Sequence, residues 1–211
     1  MIRIITLERE YGCGGAEIAA RLAQRLGWKL WDQQLTQEIA TAAQVPADAV
    51  SACDERMDSR LHRLAKVFWR GSYERSLPVA EGSVFDADCM MAMMDKIMAR
   101  IAAEGNAVIV GRGAPYFLRD RQDTMHVFTY APKQFKIQLV RRLGKTQQEA
   151  EELVEAVDTE RIAFVKHYFG ADWPTRALYH LMVNTKMGLD NVINMVLDAK
   201  GMLEKPAVLS R

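Results

Sequence analysis

Short apolar runs of strand length alternate along the chain with longer segments in which apolar residues recur at helical spacing. The runs cover residues 2–7, 28–31, 107–111, 125–130 and 178–183. The stretch Ala107–Val110 contains no polar residue, which is typical of a strand buried on both faces. Strands that alternate with helices pair in parallel through right-handed crossovers. The pattern therefore predicts a three-layer α/β fold in which helices flank a five-stranded parallel sheet.

Helical spacing of apolar residues predicts the elements between these strands. The predicted helices cover residues 18–26, 84–104, 133–143, 146–169 and 188–200. Thr146 followed by Glu149 is a capping box, which marks the start of one of these helices. The region at about 45–83 has helical spacing without a strand signal and is predicted to be a helical insertion. The segment 202–211 is predicted to be a flexible tail, so the whole chain, residues 1–211, forms a single predicted domain.

A glycine-rich turn follows the first predicted strand. It contains the candidate phosphate-binding residues Tyr11, Gly12, Cys13, Gly14, Gly15 and Ala16. A strand, a glycine turn and a helix in this order point backbone N–H groups and a helix N-terminus at an anion. Glycine suits this role because a bound phosphate leaves little room for a β-carbon and because such turns use positive φ. An ordinary tight turn between a strand and a helix is the alternative interpretation.

Polar residues also follow other predicted strands, at the edge where parallel sheets bind ligands. Arg112 lies there between two glycines, and its guanidinium is suited to gripping a substrate phosphate. A solvated loop arginine is the alternative. Asp32 ends the second strand and could orient a substrate hydroxyl or a magnesium-bound water, or it could cap the following helix. Arg112 and Asp32 are therefore the candidate substrate-binding residues.

The predicted helix at 146–169 carries an arginine on its apolar stripe. A charge at Arg161 is costly in that position unless it is paired. Asp158, three residues earlier, could form a structural ion pair with Arg161. Alternatively, Asp158 could hold Arg161 while this arginine stabilises a transferring phosphoryl group. Arg141 and Arg142, near the end of the preceding helix, could serve likewise or could interact with the helix dipole.

Composition narrows the classes of function. The 211 residues carry a net charge of +1, which gives no electrostatic support for binding to nucleic acid or to a membrane. The most apolar stretch is too short and too charged to span a bilayer. Cys13, Cys53 and Cys89 lack zinc-ligand spacing and are expected to be reduced thiols, which indicates a cytoplasmic location. The four histidines are not spaced for a metal either, so no metal site built from protein side chains is predicted.

Four segments, in this order, resemble the cytidylate kinase-like family, a branch of the P-loop nucleoside monophosphate kinases. They are Leu7–Gly15, Leu26–Asp32, Val110–Gly113 and Val183–Thr185. The resemblance implies a P-loop kinase-like fold with a nucleotide-binding turn, a substrate-binding role for the helical insertion, and a mobile lid at residues 141–169. It also implies ATP and Mg²⁺ as cofactors and a nucleotide-like small molecule as the partner, because cytidylate kinases transfer the γ-phosphate of ATP to CMP or dCMP.

Two positions of the glycine turn depart from the P-loop pattern G-x-x-x-x-G-K-[ST]. Gly15 takes the place of the lysine that reaches the β- and γ-phosphates, and Ala16 that of the hydroxyl that binds Mg²⁺. Arg9 takes the place of the first glycine, and we predict that its guanidinium supplies the missing positive charge. A salt bridge to a neighbouring glutamate is the alternative. Arg9, Arg112 and Arg161 are thus the candidate catalytic residues.

The predicted function is that of an ATP-dependent phosphotransferase, with a nucleoside monophosphate or another small molecule as the phosphate acceptor. The absent lysine and hydroxyl leave an alternative from a different class. This alternative is a non-catalytic regulatory protein that binds a nucleotide or an anion on a kinase fold. An oligomer is possible, because the methionine-rich helix at 84–104 could contribute to an interface. The alternative is that these methionines fill gaps in the core.

Overall fold

The structure, a computed structural model, describes residues 1–32 and 87–205, with the backbone alone described at residues 87–90, 92 and 93. The helical insertion predicted at about 45–83 lies outside the described residues, as do Cys53, the side chain of Cys89 and residues 206–211 of the predicted tail.

Five parallel strands form one sheet, as the alternating pattern predicts. They are β1 (Ile4–Arg9), β2 (Lys29–Trp31), β3 (Ala107–Val110), β4 (Thr124–Tyr130) and β5 (Leu181–Asn184). Their spatial order is β2-β3-β1-β4-β5, so β1 is central and pairs with both β3 and β4. The carboxyl ends of all the strands consequently meet at one edge of the sheet, where the glycine turn also lies.

Six α-helices connect or follow the strands in the described part of the chain. They are α1 (Gly15–Leu26), α2 (Ala87–Glu104), α3 (Ala114–Phe117), α4 (Lys133–Arg142), α5 (Gln147–Phe169) and α6 (Leu189–Glu204). The capping box at Thr146 is formed, with reciprocal hydrogen bonds between Thr146 and Glu149. The short helix α3 is not predicted by the sequence pattern, because four residues are too few to show helical periodicity.

Several element boundaries differ from the prediction, and two of them involve charged side chains. Strand β1 continues to Arg9, because Glu8 and Arg9 pair in register with Phe128 and Thr129 of β4. The candidate charge of Arg9 is therefore carried by a sheet residue. Helix α6 runs to Glu204, beyond the predicted start of the tail, because Glu204 accepts hydrogen bonds from the backbone of Ile2 (2.9 Å) and from Lys200 (2.8 Å).

The side chains of β1 alternate between two hydrophobic layers, one on each face of the sheet. Ile5 and Leu7 pack with α1 and α6, whereas Ile4 packs with α2, α3 and α5. Because the side-chain period of a strand is two, Glu8 lies on the same face as Ile4, toward α5. The sheet thus delivers an acidic side chain into the layer that α5 covers.

Helices α4 and α5 contact each other and pack against the glycine turn. Tyr11 of the turn is buried against Ile137 and Val140 of α4 and against Val154 and Val157 of α5. This small third cluster covers part of the segment predicted to be a lid. It places the middle of α5 over the carboxyl ends of β1 and β3.

Candidate active site

A pocket lies where the carboxyl ends of β1 and β3 face the middle of α5. It is lined by Glu8, Arg9, Val110, Gly111, Arg112, Gly113, Arg161, Phe164, Val165 and Trp173. The three arginines predicted to be catalytic thus come together on one cavity. Its volume is about 50 Å³, whereas roughly 10–15 Å³ suffices for one water. The cavity accommodates a small polar group.

Arg112 is presented by a strained backbone. Gly111, Arg112 and Gly113 have φ of 64°, 60° and 68°, so three successive residues adopt the left-handed conformation. The two glycines adopt it freely, but an arginine there costs of the order of 1 kcal/mol or more, which the surrounding fold must offset. The arrangement turns the Arg112 side chain inward, where the residue is only 9% exposed.

Arg112 interacts electrostatically with Asp32. Burial lowers the pKa of Arg112 to about 10, Asp32 opposes this shift, and the positive charges of Arg9 and Arg161 add to it. The guanidinium remains charged at neutral pH. The two predicted substrate-binding residues therefore act on one another, although Arg112 follows Asp32 by 80 positions in the sequence. The helix that Asp32 was alternatively predicted to cap lies outside the described residues.

Arg9 explains why Gly15 is a glycine. A β-carbon at Gly15 would lie 2.9 Å from Cβ and 3.0 Å from Cδ of Arg9, and 2.8 Å from Oγ1 of Thr129. The stem of Arg9 therefore occupies the space in which a P-loop lysine side chain would begin. Further along the same side chain, Nη1 lies 2.7 Å from the place of a β-carbon on Gly111. The arginine passes under the start of α1 and brings its charge to the pocket.

Arg161 binds the end of β1 and also lines the pocket. Its Nη1 donates to the carbonyl oxygen of Arg9 (2.6 Å) and to Oδ1 of Asp158 (3.2 Å). The predicted ion pair with Asp158 is therefore present, and it coexists with a position in the site. Burial and the nearby charge of Arg9 lower the pKa of Arg161, against the opposing effect of Asp158 and Glu8.

A buried lysine that the sequence analysis did not single out ties the helices α4 and α5 to the turn. Lys136 donates from Nζ to Oε2 of Glu10 (2.8 Å) and to Oδ2 of Asp158 (3.1 Å). Asp158 also accepts from the backbone N–H of Tyr11 (2.8 Å). Burial lowers the pKa of Lys136, but the two carboxylates outweigh it and the pKa is raised overall. The signal in the sequence is weak: Lys136 stands four residues before the buried Val140, on the inner face of α4.

Glu8 is the second functional candidate that the sequence analysis missed. Its Oε2 accepts a hydrogen bond from Nε1 of Trp173 (3.2 Å), and the backbone of Gly113 also hydrogen-bonds to its carboxyl group. Burial raises the pKa of Glu8, and the charges of Arg161 and Arg9 hold it down in part. The pocket therefore combines three guanidinium groups with one carboxylate.

The glycine turn presents the N-terminus of α1. Gly14 is the N-cap, with φ of 81°, and as a glycine it has no side chain that could cap the helix. Cap and first-turn N–H groups of this kind are suited to an anion. The inner side of the turn is tightly packed, since a β-carbon at Gly12 would lie 2.8 Å from Val140. Cys13 is fully buried with Sγ 3.5 Å from Oγ1 of Thr129, as expected of a small space-filling residue.

The sequence matches the model of the cytidylate kinase-like family over residues 4–187. The protein belongs to this family. The matched residues include the glycine turn and all the residues that line the pocket. No curated protein matches the sequence significantly.

Solved structures show the same fold for this cytidylate kinase-like protein. An uncharacterized protein from Eubacterium ventriosum ATCC 27560 is 21% identical with a TM-score of 0.67, over 96% of this chain and 99% of that chain. The shikimate kinase from Acinetobacter baumannii, solved in complex with shikimate, is 15% identical with a TM-score of 0.52. The match covers 98% of this chain and 97% of that chain. The fold is therefore a P-loop kinase-like fold, and the family relationship supports a kinase-like function.

Other predicted site residues of this family member lie away from the pocket. Arg141 and Arg142 are exposed in the last turn of α4, which fits the interaction with the helix dipole. His126 is buried, with Nδ1 2.7 Å from Oγ1 of Thr6, and its backbone N–H donates to Nδ1 of His180 (2.9 Å). These two histidines contact Thr6 and each other and do not line the pocket.

Within residues 1–32 and 87–205, no group of three His, Cys, Asp or Glu side chains is arranged to hold a metal ion. In the same part of the chain, no helix combines the length and the apolar character that crossing a membrane requires.

Proposed function

We propose that this protein is an ATP-dependent phosphotransferase that holds the nucleotide phosphates at the glycine turn and an anionic acceptor in the arginine pocket. The observation that carries the proposal is the convergence of Arg9, Arg112 and Arg161 on one cavity beside the N-terminus of α1. Three guanidinium groups and one carboxylate line this cavity, so its net charge is positive and favours the binding of an anion. A transferring phosphoryl group or an acceptor acid is such an anion.

The residues of this chain suit the needs of phosphoryl transfer. The reaction depends on positioning and on stabilising charge, with little covalent chemistry from the protein. ATP supplies the phosphoryl group, and Mg²⁺, held by the nucleotide phosphates and water, offsets part of their charge. The backbone N–H groups of Gly15 and Ala16 would face the phosphates. Arg9 stands between the two sites, since its stem contacts Gly15 and its guanidinium contacts Gly111.

The acceptor is proposed to be a nucleoside monophosphate or another small anion. Arg112 would hold its acidic group, and Asp32, which acts electrostatically on Arg112, would help to orient both. Arg161 would complete the site from α5, with Asp158 fixing its position (3.2 Å). Closure of residues 141–169 over the nucleotide would exclude water during transfer.

A specific observation favours a second candidate function. Gly15 and Ala16 cannot provide the lysine and the hydroxyl that touch phosphate and metal in a P-loop. A protein with this turn could bind a nucleotide or an anion without turnover and act as a regulatory module. The two candidates differ in one measurable respect, which is the transfer of the γ-phosphate.

The experiment is a transfer assay with purified protein, γ-labelled ATP, Mg²⁺ and a panel of nucleoside monophosphates and small acids. Arg9→Ala and Arg112→Lys are each expected to lose roughly a hundredfold to a thousandfold in rate, as when a preorganised charge-stabilising donor is removed. Arg119→Ala is the matched control, because Arg119 is exposed and pairs with Asp120 on the surface (3.5 Å).

Nucleotide binding without transfer to any acceptor would support the regulatory candidate. Full activity in Arg9→Ala would contradict the role of Arg9, and Arg112 and Arg161 would then have to carry the charge. Arg9→Lys keeps the positive charge but lacks the planar guanidinium group. A loss of activity in a folded Arg9→Lys protein would show that the guanidinium geometry is required, and that the loss is not a folding defect.

A further inference from the structure

Glu8 is an acidic residue in a pocket that otherwise attracts anions. It lies on the cavity with Arg9 and Arg161 and is only 5% exposed. A negative charge there opposes the binding of an anion, unless the carboxylate has its own partner on the ligand. The position is also expensive to maintain, because a buried carboxylate must be compensated by donors and opposite charges.

The fold holds Glu8 firmly in that position. Trp173 donates from Nε1 (3.2 Å), Gly113 contributes a backbone hydrogen bond, and Arg9 and Arg161 provide opposite charges. Trp173 comes from the segment that follows α5, so residues distant in the sequence are brought together around one carboxyl group. The backbone of Glu8 is fixed in the strand β1, and the hydrogen bond from Trp173 holds its carboxylate at the cavity.

We propose that the acceptor is a small acid that also carries a hydroxyl group, and that Glu8 binds this hydroxyl and removes its proton. The inference rests on the proposed phosphotransferase function and specifies its acceptor. The arginines hold the acid group while the hydroxyl points at Glu8. As the hydroxyl oxygen attacks the γ-phosphorus of ATP, the new O–P bond forms and the bond from phosphorus to the bridging oxygen breaks. ADP leaves with the electron pair, and Glu8 takes the hydroxyl proton.

A phosphate nucleophile would not need this carboxylate. Its second pKa is near 6, so at neutral pH it is largely a dianion with no proton to give up. A buried carboxylate beside it would raise its energy by like-charge repulsion. A hydroxyl nucleophile, in contrast, must lose its proton during the reaction and is a hydrogen-bond donor before it does.

The dimensions and walls of the cavity agree with a small acceptor. A volume of about 50 Å³ suits an acid group with a few further atoms. Phe164, Val165 and the ring of Trp173 supply an apolar wall for a carbon skeleton. Glu8, Arg9, Arg112 and Arg161 also line the cavity, so charged groups of both signs are available to orient the acceptor.

Binding by matched pairs of small acids tests the recognition step. Calorimetry compares glycerol 3-phosphate with propyl phosphate, and glycerate with propionate, since the members of each pair differ in their hydroxyl groups. The hydroxylated member of at least one pair is expected to bind about tenfold to a hundredfold more tightly, as for a hydrogen bond to a charged group. Glu8→Gln should reduce this preference. Equal affinities in both pairs, or no binding of any member, would overturn the inference.

Turnover with the preferred acceptor tests the proton transfer. Glu8→Gln is expected to lower kcat by roughly a hundredfold to ten-thousandfold with little change in KM. The wild-type rate should fall as the pH drops through the pKa of Glu8, and the variant should lack that dependence. Glu8→Asp, which keeps a carboxylate, should retain part of the rate, whereas Glu155→Gln, an exposed carboxylate on α5, serves as the charge-matched control.

The outcomes separate this inference from the phosphotransferase proposal. Transfer to nucleoside monophosphates at the same rate in wild type and Glu8→Gln would overturn the role of Glu8 and leave the phosphotransferase standing. A hydroxyl-dependent binding preference without any transfer would support recognition by Glu8, overturn its role as a base and refute the phosphotransferase.

Discussion

The stem of Arg9 fills the space that a β-carbon on Gly15 would need. Such a β-carbon would lie 2.9 Å from Cβ and 3.0 Å from Cδ of Arg9. Arg9, at the first glycine position of a P-loop, and Gly15, at the lysine position, therefore pack against each other, and each restricts the side chain that the other position can carry. A lysine in place of Gly15 would collide with the stem of Arg9 as well as with Oγ1 of Thr129, so this lysine and Arg9 exclude one another. The positive charge is thereby moved from α1 to the end of β1.

This exclusion predicts coupling between the two positions. Gly15→Lys alone should destabilise the protein by about 1–3 kcal/mol, because overpacking forces neighbouring atoms apart. In Arg9→Gly/Gly15→Lys, two of the three close contacts disappear, so the double variant should be more stable than the sum of the single changes by about 0.5–3 kcal/mol. Urea unfolding of the four proteins measures this coupling. Additive effects would show that the two side chains do not compete for the same space.

Two ion pairs between α4 and α5 provide a matched comparison of buried and exposed charge. Lys136 and Asp158 pair inside the protein (3.1 Å), whereas Lys133 and Glu155 pair on the surface. Asp158→Ala is expected to cost about 3–5 kcal/mol, because it leaves Lys136 and Arg161 buried without this carboxylate. Glu155→Ala is expected to leave the free energy of unfolding nearly unchanged, because solvent screens this exposed pair. Equal costs in chemical denaturation would contradict the structural role of Asp158.

The buried His126 predicts how stability depends on pH. Burial and the neighbouring His180 lower the pKa of His126 to about 4 in the folded protein, against about 6.5 in the unfolded chain. The unfolded state therefore binds a proton first, so the stabilisation is present above pH 6.5 and is lost as the pH falls toward 4. The loss is of the order of 3 kcal/mol.

Denaturation midpoints measured between pH 7 and 4 for wild type and His126→Gln check this prediction. Glutamine cannot take up the proton but can still hydrogen-bond to Thr6, so the variant should lose less stability over this pH range. Parallel curves for the two proteins would mean that other groups cause the dependence.

The predicted lid is tested by hydrogen exchange with and without ATP and Mg²⁺. Residues 141–169 are expected to exchange more slowly with the nucleotide, because closure adds contacts over the glycine turn. The exposed end of α6 serves as an internal reference. Equal exchange of the segment in the two states would refute closure, whatever the affinity for ATP.

The succession of elements could be predicted from local pattern alone. The strand Ala107–Val110 is an uninterrupted apolar run, and α5 begins at a capping box, so each signal lies within a few consecutive residues. Such signals are local because a strand repeats every two residues and a helix every 3.6. The parallel sheet then follows from the alternation, and with it the meeting of Arg9, Asp32 and Arg112 at one edge.

The partners of the charged residues could not be predicted in this way. Glu8 meets Trp173 across 165 positions, and Lys136 meets Glu10 across 126. These contacts depend on which helix covers which strand. None of the four residues lies in a local sequence pattern that identifies its partner. The sequence shows that the P-loop lysine is absent, but only the packing of Arg9 against Gly15 gives the reason, because steric exclusion arises between atoms that the fold brings within about 3 Å.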